Sequence, residues 1–324
     1  MPFAVDELPT SIGAGDPASA SPNEHATSVS ALTARSTGEN FHVLSCLLPK
    51  HLRVDFANVY AFCRHADDLA DTAPSRAVAL RRLDDCEQQL RACYAGSPDQ
   101  PLFVGLKLTI DRHALPIEPF LDLLSAFRQD QHVSRYERWT DVLDYCTRSA
   151  NPVGRLVLRL SGHREDDHDA LRHSDATCTA LQLVNFWQDV RRDILDVDRI
   201  YIPTDIANAH GLDLQELHQR ITHSGATRDL RDANGDPFAA AYRATLIDLC
   251  DRTRSLFTDG RQLLPRVSRD VRPVIALFTL GGEAVLRRIA AIDYRTDLRR
   301  PRVGKIGKAS LLCKAWITYR LGGK

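Results

Sequence analysis

The sequence predicts an all-α protein built as a single domain of packed helices. From Glu39 onward, apolar residues recur mostly at spacings of three and four, the period of a helix with one buried face. The alternation of apolar and polar residues that is typical of half-buried strands is nearly absent. Clusters of Gly, Pro, Asp and Asn interrupt the pattern and leave room for helices of roughly 12 to 28 residues. These observations favour a helical bundle around one core.

The interruptions divide the chain into predicted elements. The clearest breaks fall at residues 95–101, 161–169, 222–237 and 259–265. The clearest helices between them cover residues 54–71, 140–160, 175–193 and 238–257. The first 35 residues are rich in Ala, Ser, Thr, Pro and Gly and carry no Lys or Arg before Arg35, which indicates a disordered arm and not a signal peptide. We therefore expect an arm over residues 1–35, a helical domain over 36–310 and a tail over 311–324.

Charge and cysteine content exclude several classes of protein. The 42 basic and 42 acidic side chains cancel, which argues against a protein that binds nucleic acid. The eight cysteines are scattered singly, mostly among apolar neighbours, as expected for reduced core residues in the cytoplasm. No stretch approaches the roughly 20 apolar residues that are needed to cross a bilayer. We expect a cytoplasmic protein, soluble or peripheral at the inner face of the membrane, in an oligomeric state that the sequence leaves open.

A polar stripe follows one face of the first strong helix. Tyr60, Arg64, Asp67 and Asp71 are separated by four, three and four residues, which at about 100° per residue places them on one side. The remaining sides carry apolar residues such as Phe62, so this helix is too apolar to be freely solvated. We therefore expect Asp67 and Asp71 to point into a cleft.

A second stripe repeats the arrangement more than a hundred residues later. Gln182, Asn185, Asp189 and Asp193 are separated by three, four and four residues, and the other sides of this helix are mostly apolar. A mostly apolar helix with one narrow polar face is the inverse of an ordinary surface helix. The sequence therefore predicts that this stripe also faces a cleft.

Two aspartate pairs on apolar helices favour a shared magnesium site. One such pair alone is usually a solvated face with arginine partners, but close like charges raise each other's pKa unless a counter-charge is supplied. Carboxylate and amide oxygens suit Mg²⁺, whereas zinc spacings such as CxxC are absent and the Glu-x-x-His spacing at Glu165 lies in a polar loop, which disfavours di-iron. The predicted ligands of several Mg²⁺ ions bridging a diphosphate are Asp67, Asp71, Asn185, Asp189 and Asp193.

Metal ions on a diphosphate would favour ionisation of its C–O bond to a carbocation. Arg64 is placed to add a fixed positive charge to the diphosphate. We expect Tyr60 and the four aspartates to be the catalytic residues. The cation needs a dry, apolar chamber, and each candidate for its wall could equally be ordinary core. These candidates are Phe41, Phe56, Phe62, Val153, Val157, Leu183 and Phe186.

At these residues the chain resembles the squalene and phytoene synthases, all-helical enzymes that join two prenyl diphosphates head to head. The resemblance spans about residues 36–305, and several blocks occur in the family's order. The blocks are Asn40-Phe41 with Leu47-Leu48-Pro49, the two aspartate stripes, Tyr145-Cys146 through Pro152-Val153-Gly154, and the loop from Arg199 to Pro203. The resemblance implies an isoprenoid synthase bundle with a central active-site cavity, a prenyl diphosphate substrate and a kinked tail-binding helix in which Gly154 leaves space for the chain.

Within the family, Glu39-Asn40-Phe41 and Asn185-Phe186-Trp187-Gln188 are most similar to bacterial hydroxysqualene synthases of hopanoid pathways. That resemblance implies ionisation of presqualene diphosphate and capture of the cation by water, without NADPH. The implied substrate-binding residues are Arg64, Phe41, Tyr145, Ala150, Val153, Gly154, Gln182 and Arg302.

Two departures from the family pattern concern the reaction. Gln188 stands where many relatives carry Arg, and Val285 where relatives often carry Tyr. Condensation of two prenyl diphosphates to presqualene diphosphate, squalene or phytoene stays open, although no credible nucleotide loop supports a reductive step. A non-catalytic helical scaffold stays open as well. The basic C-terminal stretch combines an expected phosphate contact at Arg302 with attraction to an anionic membrane.

Overall fold

The computed structural model describes residues 47–164, 166–223 and 235–318, and within these ranges the chain forms helices and no β-strand. The expected N-terminal arm and Phe41 lie outside the described residues. In chain order the helices are α1 (Arg53–Asp71), α2 (Arg76–Ala95), α3 (Pro101–His113), α4 (Glu118–Gln129), α5 (Trp139–Ser149), α6 (Asn151–Leu160), α7 (His168–Val197), α8 (Thr204–Ala209), α9 (Leu214–His223), α10 (Pro237–Gly260), α11 (Arg272–Ala291) and α12 (Lys305–Trp316). The all-α prediction is confirmed.

The predicted helix over residues 140–160 is two helices, α5 and α6, which meet at Ala150. Pro152 lies in the first turn of α6, where its missing N–H costs nothing, whereas inside one continuous helix its ring would clash with the preceding turn. Ala150 takes φ −127° and ψ −48°, outside helical geometry, and so directs α6 away from the axis of α5. The sequence predicted the kink through the family resemblance, and Pro152 is its physical cause.

The long helix α7 lies at the centre of the fold and packs against α5, α6, α9, α10 and α11. Its core face carries Trp187, which is fully buried and donates a hydrogen bond from Nε1 to Thr253 Oγ1 on α10 at 2.9 Å. Because the indole N–H has a partner, the largest aromatic ring of the core is buried without an unsatisfied donor. The predicted helix over residues 175–193 is therefore the middle of a longer element.

A second core joins α1 to α2, α3, α4 and α6. The ring of Phe62 packs edge-on against Phe103 and Phe120, with centroids 6.2 and 5.1 Å away. Buried Asp55 also ties α1 to α3, because it accepts hydrogen bonds from Arg112 at 2.9 Å and Thr109 at 3.0 Å. These contacts fix the rotation of α1 and so the direction of its polar stripe.

The C-terminal part of the chain crosses back over α7 and ends in α12, which packs on α11. Residues 311–316 of the expected tail form the last part of this helix. Among the described residues, no helix combines the length and the apolar character needed to span a bilayer.

Candidate functional site

On α1 the first stripe is organised around Arg64. Its guanidinium contacts the carboxylate of buried Asp67 at 3.1 Å and that of Asp68 at 2.5 Å, while its buried Nε has no hydrogen-bond partner. Tyr60, one turn earlier, is partly buried against Ala57. Arg64 therefore neutralises part of the negative charge of the stripe from within the same helix.

On α7 the second stripe runs along the buried side of the helix. Gln182 and Asp189 are buried, and Asn185 and Asp193 are partly buried. Gln182 Oε1 and Asn185 Nδ2 are both buried atoms without a hydrogen-bond partner. Buried polar atoms are rarely left unsatisfied, so this stretch of α7 is suited to a polar ligand or bound water.

One arginine, Arg199, acts on both stripes and lies just after the C-terminal end of α7. The helix ends at Asp198, whose left-handed conformation (φ 50°, ψ 45°) turns the chain, and the N–H of Arg199 donates to the carbonyl of Asp193 at 3.0 Å. Burial raises the pKa of both Asp71, on the first stripe, and Asp193, on the second, and the positive charge of Arg199 opposes the rise at each. Arg199 is therefore close enough to both sets of aspartates for its charge to act on each.

Despite Arg199, both stripes hold carboxylates that resist ionisation. The pKa of Asp193 rises to about 8, first because burial penalises its charged form and second because Asp189 is close. The pKa of Asp71 is raised for the same two reasons, with Asp67 as the neighbour. A bound cation would favour the ionised form of these carboxylates, which is the form that binds a metal.

An aromatic wall stands beside Arg199. Its guanidinium donates to the hydroxyl of Tyr201 at 2.9 Å and to the carbonyl of Asp130 at 2.8 Å. Tyr201 stacks on Phe186 with ring centroids 3.6 Å apart, and Tyr145 donates to Asp130 Oδ2 at 2.9 Å. Burial raises the pKa of Asp130 to about 6, although Arg199 opposes the shift.

The segment between α11 and α12 is held against the second stripe. Arg300 forms a two-point ion pair with Asp189, and Gln188 donates from Nε2 to the carbonyl of Pro301 at 2.6 Å. Arg191 reaches the carbonyl of Asp297 at 3.3 Å. Arg300 therefore meets the stripe, and Arg302, the residue singled out in the sequence, is exposed and its phosphate contact stays a prediction.

The matches to known proteins agree with this geometry. The family model for squalene/phytoene synthase matches residues 34–306. The chain belongs to the squalene and phytoene synthase family. It is 41% identical over 190 residues to a hydroxysqualene synthase of Zymomonas mobilis, and the match covers 56% of this chain and 62% of that protein. A second, from Sinorhizobium fredii, is 39% identical over 181 residues, 55% of this chain. The chain thus spans less than two thirds of these two relatives, covering 60% of the second.

Other family members match more of their length. A hydroxysqualene synthase of Rhodopseudomonas palustris is 34% identical over 245 residues, covering 74% of this chain and 76% of that protein. The crystal structure of squalene synthase HpnC from Alicyclobacillus acidocaldarius is 40% identical and superposes with a TM-score of 0.72, covering 83% of this chain and 94% of that chain. A phytoene synthase of Thermus thermophilus is 29% identical over 288 residues, 88% of this chain and 91% of that protein.

The donor set of the squalene and phytoene synthase site fits Mg²⁺ held together with a ligand. Four aspartates and one asparagine supply oxygen donors, and the buried amide of Asn185 has an unpaired nitrogen, so its orientation is open to a ligand. In the described part of the chain, no three His, Cys, Asp or Glu side chains converge closely enough to form a metal cage alone. Mg²⁺ commonly completes its coordination with water and substrate phosphate, so this arrangement suits a diphosphate-bridged ion.

The structure corrects the expected reason for Gly154. A Cβ at this position would lie 2.5 Å from both Cys178 Sγ and Ser174 Oγ, so the space beside Gly154 is filled by α7 and not by a ligand. The glycine permits the close approach of α6 and α7. Of the neighbouring predicted contacts, Ala150 is buried at the kink and Val153 packs on the core of α1 to α4.

The expected apolar wall is only partly suited to lining open space. Phe62 and Leu183 have no exposed surface at all, so they are packed core and do not face a chamber. Phe56 and Val153 are partly buried, and Phe186 stacks on Tyr201. Of the two residues that depart from the family pattern, Val285 packs against the main core, and Gln188 donates a hydrogen bond to the carbonyl of Pro301.

Proposed function

We propose that this protein is a magnesium-dependent isoprenoid synthase that ionises presqualene diphosphate and captures the cation with water, giving hydroxysqualene and diphosphate. The observation that carries the proposal is the pair of aspartate stripes on α1 and α7, joined electrostatically through Arg199, in a chain similar to several hydroxysqualene synthases. Presqualene diphosphate is favoured over two smaller prenyl diphosphates by those relatives.

The proposed Mg²⁺ ligands are the carboxylates of Asp67, Asp71, Asp189 and Asp193 and the side-chain oxygen of Asn185. Bound Mg²⁺ would supply Lewis acidity to the departing diphosphate. Arg64 contributes a fixed positive charge from α1, and its unpaired Nε is available to a phosphate oxygen. Asp189 binds a metal ion only if its ion pair with Arg300 opens, so the metal competes with the guanidinium for this carboxylate.

The hydrocarbon part of the substrate would extend from the diphosphate toward the kink between α5 and α6. The ring of Tyr145 would line the path of the hydrocarbon, because its hydroxyl already donates a hydrogen bond to Asp130. Ala150 and Val153 border the kink, and Tyr60 stands one turn beyond Arg64 on α1. This arrangement keeps the phosphate end polar and the opposite end apolar, as a carbocation reaction requires.

A product assay tests the proposal against its rivals. The purified protein is incubated with Mg²⁺ and, separately, with presqualene, farnesyl and geranylgeranyl diphosphates, with and without NADPH, in water enriched in oxygen-18. We expect labelled hydroxysqualene from presqualene diphosphate, independent of NADPH. Squalene or phytoene as the product would replace the proposed step with another of the same family.

The scaffold alternative is tested without turnover. A scaffold has no differential affinity for Mg²⁺ with diphosphate, so its thermal unfolding midpoint would not shift when both are added. We expect a clear upward shift that requires both components together. No shift, combined with no product from any of the three substrates, would favour the scaffold.

A second part of the proposal is contact between α12 and an anionic membrane. Ile306, Trp316 and Ile317 are 89%, 42% and 56% exposed, whereas Leu312 packs inward on the small core around Val274. Every charged residue after Asp297 is basic, so the exposed apolar row lies in a wholly cationic segment. A helical segment with these two properties suits the interface of a bilayer that contains anionic lipid, where the water-insoluble product would be released.

Vesicle sedimentation tests this contact. We expect binding to phosphatidylcholine vesicles that contain phosphatidylglycerol, weak binding to phosphatidylcholine alone, and loss of binding in high salt. Ile306→Asn and Lys314→Glu should each weaken binding, whereas Leu195→Asn, at a side chain 50% exposed on α7, and Arg81→Glu, on exposed α2 surface, should not. Equal binding to both vesicle types, or equal effects of all four substitutions, would contradict the contact.

A further inference from the structure

Four buried polar side chains lie on α5, α6 and α7, three helices that pack against one another. Ser149 ends α5, Asn151 begins α6, and Thr179 and Gln182 lie one turn apart on α7. Their exposed fractions are between 4% and 7%. We call these four residues the junction cluster. The surrounding residues belong to the apolar cores. Burying polar groups there costs free energy, so we expect these side chains to have a function.

Only part of the junction cluster is satisfied within the protein. Thr179 donates from Oγ1 to Asn151 Oδ1 at 2.9 Å, which ties the start of α6 to α7. Gln182 Oε1 and Ser149 Oγ have no partner among the protein groups. A buried acceptor without a partner destabilises the fold, whereas a water molecule that donates to it removes the penalty. The cluster therefore offers two free acceptors to a small polar guest.

Gln182 lies on the side of the second stripe where the reacting carbon of the substrate is expected. Gln182 shares the face of α7 with Asn185 and Asp189 and lies about 4.5 Å along the helix axis from Asn185, at 1.5 Å per residue. In the proposed function the diphosphate occupies the aspartates, so the carbon that loses it lies toward Gln182. The junction cluster is thus on the hydrocarbon side of the phosphate site.

We propose that Gln182 Oε1, assisted by Ser149, positions the water molecule that captures the carbocation; this rests on the proposed function. The water donates one hydrogen to the amide oxygen and so directs a lone pair toward the cation. That lone pair forms the new C–O bond, and the resulting oxonium loses its extra proton to an oxygen of the released diphosphate. No other reactant is needed.

The neutrality of the amide is central to this role. A carboxylate at position 182 would form a contact ion pair with the cation, and could remove a proton from it or form an ester. An amide oxygen is too weak a base for either reaction but still accepts a hydrogen bond. Gln182 thus orders water without competing for the cation.

The test is the partition between alcohol and hydrocarbon products. In Gln182→Met, which keeps length and apolar volume, we expect the hydroxysqualene share to fall at least about tenfold in favour of triterpene hydrocarbons formed by proton loss, the change expected for one lost hydrogen bond. The share is calculated per molecule of presqualene diphosphate consumed, so a slower variant can still be compared with the wild type. Gln89→Met is the matched control, because Gln89 Oε1 is another buried amide oxygen without a hydrogen-bond partner, on α2 and away from both stripes, and it should leave the share unchanged.

Ser149→Ala is a second, smaller variant that keeps the test valid if Gln182→Met does not fold, and it should lower the alcohol share in the same direction. An unchanged alcohol share in each variant that folds would overturn the role of the junction cluster while leaving the proposed function intact. If the wild-type protein forms no hydroxysqualene, the proposed function itself fails. The two failures are therefore distinguishable.

Discussion

Arg300 donates hydrogen bonds to both carboxylate oxygens of Asp189, so the segment between α11 and α12 supplies a counter-charge to α7. Both side chains are largely buried. A carboxylate held in this way is already oriented as a ligand, yet it is occupied by a cation until a stronger one arrives.

The first prediction concerns this pair. Arg300→Gln should destabilise the metal-free protein by roughly 3 kcal/mol, because it leaves a largely buried carboxylate with only the more distant Arg192, at 3.8 Å, as a cationic partner. Mg²⁺ with diphosphate should stabilise the variant more than it stabilises the wild type, since the metal no longer displaces a guanidinium. Urea unfolding with and without these ligands measures both effects. Arg299→Gln, at an exposed neighbour, should change neither quantity.

The second prediction concerns the metal ligands. Asp67→Asn and Asp189→Asn should each reduce turnover by roughly a thousandfold while the folded structure is kept, because each removes a charge with little change in volume. Product formation under saturating Mg²⁺ and circular dichroism are the measurements. Asp196→Asn, on exposed surface of the same helix, is the control. Full activity in either site variant would contradict the metal assignment.

The third prediction concerns pH and Asp130. Its pKa is about 6 in the folded protein and 3.8 ordinarily, so between these values the folded state holds a proton that the unfolded state has lost. Stability should therefore fall as pH rises from 4 to 6.5, by about 3 kcal/mol from this group. Asp130→Asn should remove this component while still accepting the hydrogen bond of Tyr145. Parallel slopes for wild type and variant would contradict the assignment.

The fourth prediction concerns the approach of α6 to α7. Gly154→Ala should destabilise the protein by roughly 1–3 kcal/mol, because its Cβ would overlap Cys178 and Ser174. Gly281→Ala is the matched substitution in α11, where a Cβ meets nothing within 4 Å. There the higher helix propensity of alanine should stabilise the protein by about 0.5–1 kcal/mol. Denaturant unfolding of both variants makes the comparison, and equal effects would contradict the packing role of Gly154.

The polar stripes could be predicted from the sequence because they depend only on the helical period. Tyr60 to Asp71 and Gln182 to Asp193 each lie within one helix, so 3.6 residues per turn places their members on one face. The family resemblance similarly located the kink, and Pro152 explains it. Local rules were sufficient wherever the partners are close in sequence.

The arginines that interact with these stripes could not be predicted in the same way. Arg199 follows a left-handed turn at Asp198, and Arg300 comes from an irregular segment that the sequence assigned no particular path. Asp130 was missed because nothing local signals that Tyr145 and Arg199 will meet it. The error over Gly154 has the same origin, since only the packed structure shows which neighbour fills the space beside a glycine.

Arg199 also limits how the site can change during evolution. Its single charge is shared among Asp71, Asp130 and Asp193, so replacing any one of them alters the field at the other two. Substitutions at these positions should therefore be non-additive, and a replacement harmful alone can become acceptable once a second has occurred. Descendants of this chain would be expected to exchange these residues together, so the loop after α7 and the two stripes form one inherited unit.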